Sequence, residues 1–395
     1  MLQPESRAFV LLLGGITLTN ALSIDMALPA MPELGAALNA SPSQVQLTLS
    51  LFVLAYAFGQ LVCGPLADRF GRRPILMLGL SSYVLTSLAC AASRRIEFLI
   101  AARIVQGCVA CGGPVMARAV IRDHFSGVGA AQMLSSLTSV FALGPLLAPI
   151  LGGIMLVHFG WPSIFLFLAA FALFLLVLVW WHLPESLKNP DPKALQPMRL
   201  LTNFRTFIGT RRTVCFALVV GFCWIGIFAF LSGSPFVFIQ YYGVSPDRYG
   251  LYFGLSSVAL IIGALTNRRL LRRMPPERVM LLGFFMLVLG GLLIVLVPLT
   301  RWSGPAPLAA AMVIFFFGQT IVQPNAVAQA LDPLKHMAGM GASLIGAVQM
   351  IFGSLSGYAV NALYNGTPLP MCGAMLFAAL SCSFLYFFLF RRRGA

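Results

Sequence analysis

The chain has 395 residues, of which 59% are hydrophobic and 9% charged, and its formal net charge is +15. A soluble domain usually carries about 25% charged residues, so this chain lacks the polar surface that a soluble protein needs. The basic charge does not indicate nucleic-acid binding, because no stripe of interleaved basic and aromatic residues forms a soluble binding face. Long uncharged runs, among them residues 8–24, 34–67 and 124–184, instead predict membrane spans.

Twelve apolar segments follow one another along the chain, divided by Pro, Gly and charged residues. A helix needs roughly 20 apolar residues to cross a bilayer, and the first segment is long enough to be a span rather than a cleaved signal peptide. The predicted fold class is an all-α integral membrane protein of twelve transmembrane helices in two six-helix pseudo-symmetric halves. The predicted spans, numbered 1 to 12, are 8–30, 44–67, 75–93, 96–118, 130–157, 162–182, 213–240, 249–268, 278–299, 306–329, 338–361 and 369–390.

The basic residues of the short loops predict the orientation. With the N-terminus inside, most of the 26 Lys and Arg residues fall on the cytoplasmic side, and those outside are Arg94, Arg95, Arg248 and Arg301. Cytoplasmic loops are enriched in Lys and Arg, and one missed span would scramble this distribution. We therefore expect a multi-pass protein of the bacterial inner membrane with both termini in the cytoplasm.

The middle of the chain contains its longest polar loop, residues 183–212, which is rich in Pro and basic residues. It predicts a cytoplasmic linker between an N-terminal half, residues 1–182, and a C-terminal half, residues 213–395. A faint repeat agrees, since span 2 ends in GPLADR and span 8 ends in GALTNR. Two parallel six-span repeats predict an alternating-access transporter with its binding site near the bilayer midplane, where the halves meet.

Asp25 is the one acidic residue, among 11, that lies well inside a predicted span. A carboxyl group in a bilayer is costly and is a functional candidate by default. The four histidines fall at span ends, so Asp25 is the best candidate proton carrier. The alternative is that Asp25 is a structural hydrogen-bond acceptor near the outer surface.

Arg103 is the one basic residue deep in a span. Arg103, Gln106, Gly107, Ala110 and Pro114 follow steps of three and four residues, so they share one face of span 4. That face is expected to point inward, because an arginine facing lipid costs several kcal/mol. Arg103 could couple to Asp25 during transport, or the two could form a structural ion pair that aligns the helices.

The run GPLADRFGRR joins spans 2 and 3. Asp68 of this run, together with Asp123 below span 4, could form an ion-pair network with the nearby arginines. Such a network could latch the two halves in one state. The glycines of the run permit a tight turn and close approach of helices. The alternative is an ordinary basic loop. The residues concerned are Gly64, Asp68, Arg69, Gly71, Arg72, Arg73 and Asp123.

Span 5 carries GPLLAPILGG, in which Gly144, Pro145, Pro149 and Gly152 argue against a straight, passive helix. The pattern predicts a kinkable, closely packed seam, and ordinary packing of small residues is the alternative. The C-terminal half has polar but uncharged residues in its spans, which suits neutral or weakly charged amphiphiles. The predicted substrate cavity is lined by Asp25, Met26, Arg103, Gln106, Ser232, Phe236, Gln319 and Gln349.

Metal and redox chemistry are not expected. Cys108 and Cys111 form a C-x-x-C, but no second ligand pair accompanies them, so both are interpreted as small packing residues. An intramembrane enzyme would need more buried catalytic groups than one deep acid. We therefore expect no enzymatic activity, no metal and no cofactor.

The motifs resemble those of a known family. GPLADRFGRRPILM, the run R-x-x-Q-G at Arg103 and GPLLAPILGG are similar to signatures of the major facilitator superfamily in spans 2–3, 4 and 5. The runs LSIDMALPAMP (22–32), FLSGSPFVFI (230–239) and LDPLKHMAGMGASL (331–344) resemble the Bcr/CflA group of bacterial drug exporters. Ala27, where the family usually has Tyr, and Trp161-Pro162, where it has Trp-Arg or Trp-His, depart from the pattern.

This resemblance implies proton-driven export of small amphiphilic drugs, such as bicyclomycin, chloramphenicol-like compounds or sulfonamides. It places Asp25 and Arg103 on the family's membrane-embedded acidic and basic positions, and Asp68, Arg72 and Asp123 on its cytoplasmic charge network. The expected partners are drug, protons and membrane lipid, with no nucleic acid, and the expected state is a monomer. Proton-coupled uptake of a metabolite is the alternative function.

Overall fold

A computed structural model of the chain describes residues 6–125, 127–141, 143–187, 189–192, 196–300 and 304–387. Within these ranges the secondary structure is helical, and ten helices are long and apolar enough to cross a membrane. Leu143–Phe159 and Leu369–Leu385 are shorter apolar helices at the places predicted for spans 5 and 12. Together these segments account for the twelve predicted spans. The predicted end of span 12, residues 388–390, and Arg301 lie outside the described residues.

The helices of the N-terminal part are numbered in chain order. They are α1 (Arg7–Asp25), α2 (Met31–Ala37), α3 (Pro42–Phe70), α4 (Arg72–Ala91), α5 (Ile96–Ala110), α6 (Gly112–His124), α7 (Gly127–Phe141), α8 (Leu143–Phe159) and α9 (Pro162–His182). Span 1 comprises α1 and α2, span 4 comprises α5 and α6, and span 5 comprises α7 and α8. In this unit α3 packs against α5, α4 packs against α5 and α9, and α1 contacts α6, α7 and α8.

The second part continues the numbering. Its helices are α10 (Pro197–Gly209), α11 (Arg211–Pro235), α12 (Pro246–Leu270), α13 (Pro276–Leu299), α14 (Ala306–Leu331), α15 (Ala338–Ala362) and α16 (Leu369–Leu385). In this unit α13 packs against α14 and α16, α11 against α15 and α16, and α12 against α14.

The chain divides into two compact units, Met1–Leu200 and Leu201–Ala395. The division falls inside the segment predicted as a linker, residues 183–212. That segment is not entirely loop, because it contains α10. Apolar residues of α10 recur with helical spacing, which explains why a helix forms there.

Span 1 is interrupted where the sequence suggested one continuous helix over 8–30. The helix α1 ends at Asp25, and a short 3-10 turn over Leu28–Ala30 leads into α2. Pro29 and Pro32 explain the break, because proline lacks the amide that an α-helix needs and clashes with the preceding turn. Span 4 is likewise interrupted at Cys111, three residues before Pro114.

Close approach of α3 and α5 is possible because residue 107 is glycine. A Cβ at Gly107 would overlap the carbonyl oxygen of Phe52. The backbones therefore lie in direct contact at this level, which sets Phe52 of α3 against the buried face of α5 that carries Arg103 and Gln106.

Candidate functional site

Asp25 occupies the last position of α1, where span 1 breaks. Its side chain is buried, since the residue is only 5% exposed. Within the part of the chain that the structure describes, no hydrogen bond or ion pair reaches its carboxyl group. A buried acid without a partner is costly to keep charged, which is the arrangement that a proton-binding group requires.

Arg103 is also buried, and it is 2% exposed. Its Nη1 donates a hydrogen bond to Oε1 of Gln106 at 2.7 Å. Its guanidinium carbon lies 4.1 Å from the centroid of the Phe52 ring and 5.9 Å from that of Phe165. Aromatic faces stabilise a desolvated cation by about 2 kcal/mol. Arg103 therefore points inward, as the sequence predicted. Its guanidinium group contacts aromatic rings where a carboxylate would be the usual partner.

Gln106 connects Arg103 to α4. Its Nε2 donates to the hydroxyl of Ser87 at 2.7 Å. Tyr83 lies one turn before Ser87 on the same face of α4, and its side chain is near the Arg103 guanidinium. The α4 helix thus presents two hydroxyl groups to the polar face of α5.

Tyr83 also reaches α1. Its hydroxyl forms a short hydrogen bond with Ser23, two residues before Asp25. Ser23 donates its own proton to the carbonyl oxygen of Thr19 at 2.6 Å, so Tyr83 is the donor in the shared bond. This bond ties the end of α1 that carries Asp25 to the helix that also supports Gln106.

Asp25 and Arg103 do not form an ion pair with each other among the described residues. The sequence left open whether these two groups touch. The contacts from Arg103 through Gln106 to Ser87, and from Tyr83 to Ser23, approach Asp25 without reaching it. Phe52, Tyr83 and Ser87 were not among the predicted site residues, although the spacing of Tyr83 and Ser87 in an apolar span is a signal that could have indicated them.

Two amide side chains of the N-terminal unit have buried polar atoms without a partner among the described residues. They are Oδ1 of Asn20 on α1 and both amide atoms of Gln46 on α3. Buried polar groups are nearly always hydrogen-bonded, so unpaired ones call for a ligand or a water. Neither residue was predicted as part of the site, since an amide in a span carries no charge.

In the C-terminal unit, Ser232 and Gln319 show the same feature. Oγ of Ser232 and Oε1 of Gln319 are buried without a partner among the described residues. Nε2 of Gln319 donates to the carbonyl oxygen of Cys223 at 3.0 Å, which fixes α14 against α11 and directs the amide. Both residues were predicted for the substrate cavity, and the structure leaves each with hydrogen-bonding capacity to spare.

Phe236 begins an irregular turn. Residues Phe236–Tyr241 form a π-helical turn after Pro235, and π-bulges often occur at functional sites. The Phe236 ring is buried and lies 5.6 Å from the Tyr364 ring. Gln349 lies half-buried on α15, which packs against α11.

The loop between spans 2 and 3 forms an ion-pair cluster centred on Arg72. Nη1 of Arg72 lies 2.5 Å from Asp68, and its Nε lies 3.2 Å from Asp123. Ser186 donates to the same Asp123 oxygen at 2.8 Å. The predicted ion pairs of Arg72 with Asp68 and with Asp123 are thus present in the structure.

Arg69 and Arg73 do not join this cluster, contrary to the expectation. The Arg69 guanidinium lies over the neighbouring Phe70 ring at 5.1 Å. Arg73 donates to the carbonyl oxygen of Trp180 at 2.6 Å instead. Arg72 reaches Asp68 across the break at Gly71, whereas the guanidinium groups of Arg69 and Arg73 are directed to Phe70 and Trp180.

Glu185 is a member of this region that the sequence analysis missed. Its two carboxylate oxygens accept hydrogen bonds from the backbone amides of Arg72 at 2.9 Å and Arg73 at 3.0 Å. These amides begin α4 and have no partner within the helix, so the carboxylate caps it. An acidic residue directly after span 6, on the same predicted side as the basic loop, was the available signal.

Gly71 makes this cap possible. Its φ of +101° favours glycine, and a Cβ there would lie 2.6 Å from Oε2 of Glu185. The other motif glycine behaves differently, since no atom lies within 4 Å of a Cβ built at Gly64. The expected role of glycine in close approach therefore applies at Gly71 and not at Gly64.

The sequence of this chain matches a known protein family. A sequence model described as "Major Facilitator Superfamily" matches residues 13–358. The chain belongs to the Major Facilitator Superfamily. It is 32% identical over 390 residues to a bicyclomycin resistance protein homolog of Haemophilus influenzae, covering 99% of this chain and 98% of that protein. It is 29% identical over 357 residues to a chloramphenicol resistance protein of Pseudomonas aeruginosa, covering 88% and 84%.

The fold agrees with the family. The crystal structure of a D-xylose-proton symporter matches with a TM-score of 0.75 at 16% identity, covering 99% of this chain and 100% of that one. The family match and the named relatives confirm the prediction of a major facilitator protein of the Bcr/CflA drug-resistance type. This member of the superfamily is a multi-pass membrane transporter and not an enzyme.

Span 5 of this transporter packs closely onto α1. A Cβ at Gly144 would lie 2.6 Å from Cβ of Ala21, and one at Gly152 would overlap the carbonyl oxygen of Met26. Pro149 is buried within α8, and Pro145 is half-buried. Met26, predicted to line the cavity, is fully buried beside this contact. Within the described part of the chain, no group of three His, Cys, Asp or Glu side chains is suited to hold a metal.

Proposed function

We propose that this transporter exports small amphiphilic drugs across the bacterial inner membrane in exchange for protons, by alternating access. Candidate substrates are bicyclomycin, chloramphenicol-like compounds and sulfonamides, and the proton gradient is the energy source, without a cofactor. The names of the bacterial relatives support drugs as substrates. The distribution of Lys and Arg supports an orientation with both termini in the cytoplasm.

One observation supports the proposed proton coupling more than any other. Asp25 is buried in a span without a partner among the described residues, while Arg103 is held by Gln106 and Phe52. A carboxyl group that no cation neutralises must bind a proton to remain buried at low cost. Asp25 is therefore the group that takes up and releases the transported proton.

The cycle follows from competition between proton and drug. In the inward-open state Asp25 releases its proton to the cytoplasm and drug binds. The halves then rock, and protonation of Asp25 from outside favours drug release and return. The two ligands need only antagonise each other by about 1–3 kcal/mol for the exchange to be coupled.

The polar atoms that lack partners suit the drug. In the N-terminal unit Asn20 has an unpartnered acceptor oxygen, and in the C-terminal unit Ser232 has an unpartnered hydroxyl and Gln319 an unpartnered acceptor oxygen. Uncharged polar groups in an apolar lining orient a ligand without demanding a particular charge, which fits neutral amphiphiles. In this proposal the Arg72 cluster, with Asp68 and Asp123, stabilises one conformational state.

Drug-evoked proton movement in proteoliposomes tests the function. Vesicles containing purified protein and a pH-sensitive dye receive bicyclomycin or chloramphenicol on one side. Antiport predicts that protons move opposite to the drug. Protons moving with the drug would indicate uptake by symport, and no proton movement with any tested drug would contradict proton-coupled export.

A further inference from the structure

The linker helix α10 has the composition of a helix that binds a membrane surface. Residues 193–212 contain five basic residues and no acidic one, and two of the five, Arg199 and Arg205, belong to α10. The next acidic residue along the chain is Asp247. Phe204, Phe207 and Ile208 of α10 follow the i, i+3, i+4 spacing of a single helix face. A basic amphipathic helix of this kind is typical of an interfacial helix.

Part of the apolar face of α10 is open. Phe207 is 5% exposed, whereas Phe204 is 47% and Ile208 is 55% exposed. Phe204 and Ile208 are four residues apart and therefore adjacent on the helix surface. One edge of the face thus packs on the protein while the neighbouring edge presents two large apolar side chains.

A positive charge accompanies this open edge. Arg205 follows Phe204, is exposed, and has no hydrogen bond or ion pair with the other described residues. Arg211, also exposed, lies at the start of α11. Apolar side chains beside arginines fit the boundary between acyl chains and phosphate groups.

The position of α10 along the chain brings it to the membrane surface. Only Thr210 separates it from α11, the first helix of the C-terminal half, which is long and apolar enough to span. Thr210 continues the hydrogen bonding, donating from its hydroxyl to Thr206 and accepting from the amide of Val214. The open edge is therefore held within a few residues of a membrane span.

Contacts of α11 with α14 fix this junction. Arg212 bonds to Gln329 and lies 3.5 Å from Asp332, and Thr213 donates to the carbonyl oxygen of Ala330 at 2.9 Å. These residues lie where α11 begins and α14 ends, so the C-terminal end of α10 is anchored at the level where two spans leave the bilayer.

We propose that α10 lies on the bilayer surface and binds anionic phospholipid, with Phe204 and Ile208 among the upper acyl carbons and Arg205 and Arg211 on headgroup phosphates. The membrane is the partner favoured here because it is always within reach of a helix one residue from a span. A soluble acidic protein would have to displace that surface. With the linker cytoplasmic, as proposed above, the lipid is that of the inner leaflet.

Hydrogen exchange of the full-length protein in nanodiscs tests this inference. Discs of phosphatidylcholine alone are compared with discs containing phosphatidylglycerol. We expect the amides of α10 to exchange at least about fivefold more slowly with phosphatidylglycerol, since each basic residue near an anionic surface contributes roughly that factor. The double variant Arg205→Gln/Arg211→Gln loses this slowing, and 0.5 M salt weakens it.

A matched control removes two arginines elsewhere. Arg94→Gln/Arg95→Gln changes two exposed residues of the loop between spans 3 and 4 and is expected to keep the slowing. Unchanged exchange in α11 shows that each variant is folded. Equal exchange of α10 in both lipids, or slowing that survives Arg205→Gln/Arg211→Gln, would overturn the inference. Slower exchange of α10 on adding polyglutamate to phosphatidylcholine discs, with no slowing by phosphatidylglycerol, would also overturn the inference. That result would indicate an acidic protein as the partner instead of the membrane. None of these outcomes depends on drug transport.

Discussion

Tyr83 donates a hydrogen bond to Ser23, and this bond joins α4 to α1 two residues from Asp25. Because Tyr83 also lies near Arg103, one side chain connects the buried arginine to the end of α1 that carries Asp25. A buried hydrogen bond of this type contributes about 1 kcal/mol. Tyr83 therefore positions the end of α1 that carries Asp25.

The substitution Tyr83→Phe removes the donor and keeps the ring. Ser23 retains its bond to Thr19, so no buried donor is left unpaired. We expect a folded protein whose drug-evoked proton flux falls by up to about fivefold, which corresponds to the loss of about 1 kcal/mol. Tyr358→Phe, at a residue that is 58% exposed, is the matched control and keeps the wild-type flux. Normal flux in Tyr83→Phe would show that this bond does not position Asp25.

Arg103→Lys tests whether charge alone is sufficient at the buried base. Lysine keeps the positive charge but loses the planar group that stacks on Phe52 and donates to Gln106. We expect transport of labelled drug to fall by at least about tenfold, because a desolvated cation over an aromatic face is worth about 2 kcal/mol. Arg94→Lys at an exposed position leaves transport unchanged. An active Arg103→Lys protein would mean that the stacking geometry is dispensable.

Glu185→Ala tests the cap at the start of α4. The change leaves the amides of Arg72 and Arg73 without their acceptors, and loss of a helix cap typically costs about 1 kcal/mol. We expect a lower thermal unfolding temperature in detergent, and a smaller decrease for Glu185→Gln, which keeps one acceptor oxygen. Glu97→Ala, at an exposed residue, serves as the control. Equal unfolding temperatures for Glu185→Ala and wild type would contradict the capping role.

The two glycines of the span 2–3 loop should tolerate substitution differently. Gly64→Ala meets no atom within 4 Å and is expected to leave stability unchanged or slightly improved. Gly71→Ala is expected to lower the yield of folded protein, because φ is +101° and the new Cβ approaches Glu185. Adding Glu185→Ala relieves the clash but leaves the backbone strain and also removes the cap of α4, so it is not expected to restore the yield. Size-exclusion chromatography of purified protein measures each variant.

The twelve spans and the family were predictable because both depend on local sequence. Apolar run length fixes a span, and the motifs at Gly64–Arg73 and around Arg103 lie within a few residues of chain. The break after Asp25 was missed, although Pro29 and Pro32 were visible in the sequence. The composition of a segment shows that it is apolar, but it does not show the residue at which its helix ends.

The contacts of the candidate site were less predictable, because they join helices that are distant in sequence. Nothing near Arg103 indicates that Phe52 supplies the stacking ring, or that Tyr83 bonds to Ser23. Glu185 was overlooked for the same reason, since its partners lie more than one hundred residues earlier. Helical spacing identified the face of span 4 that points inward but not its neighbours.

Proton flux in proteoliposomes containing Asp25→Asn is the measurement on which the account of proton coupling depends. Asparagine keeps the size of the side chain and removes the group that binds the proton. With chloramphenicol or bicyclomycin added, we predict that wild type and the control Glu97→Gln move protons and that Asp25→Asn moves none, while drug binding to the folded variant persists. Undiminished drug-evoked proton movement by Asp25→Asn would contradict the assignment of Asp25 as the proton carrier.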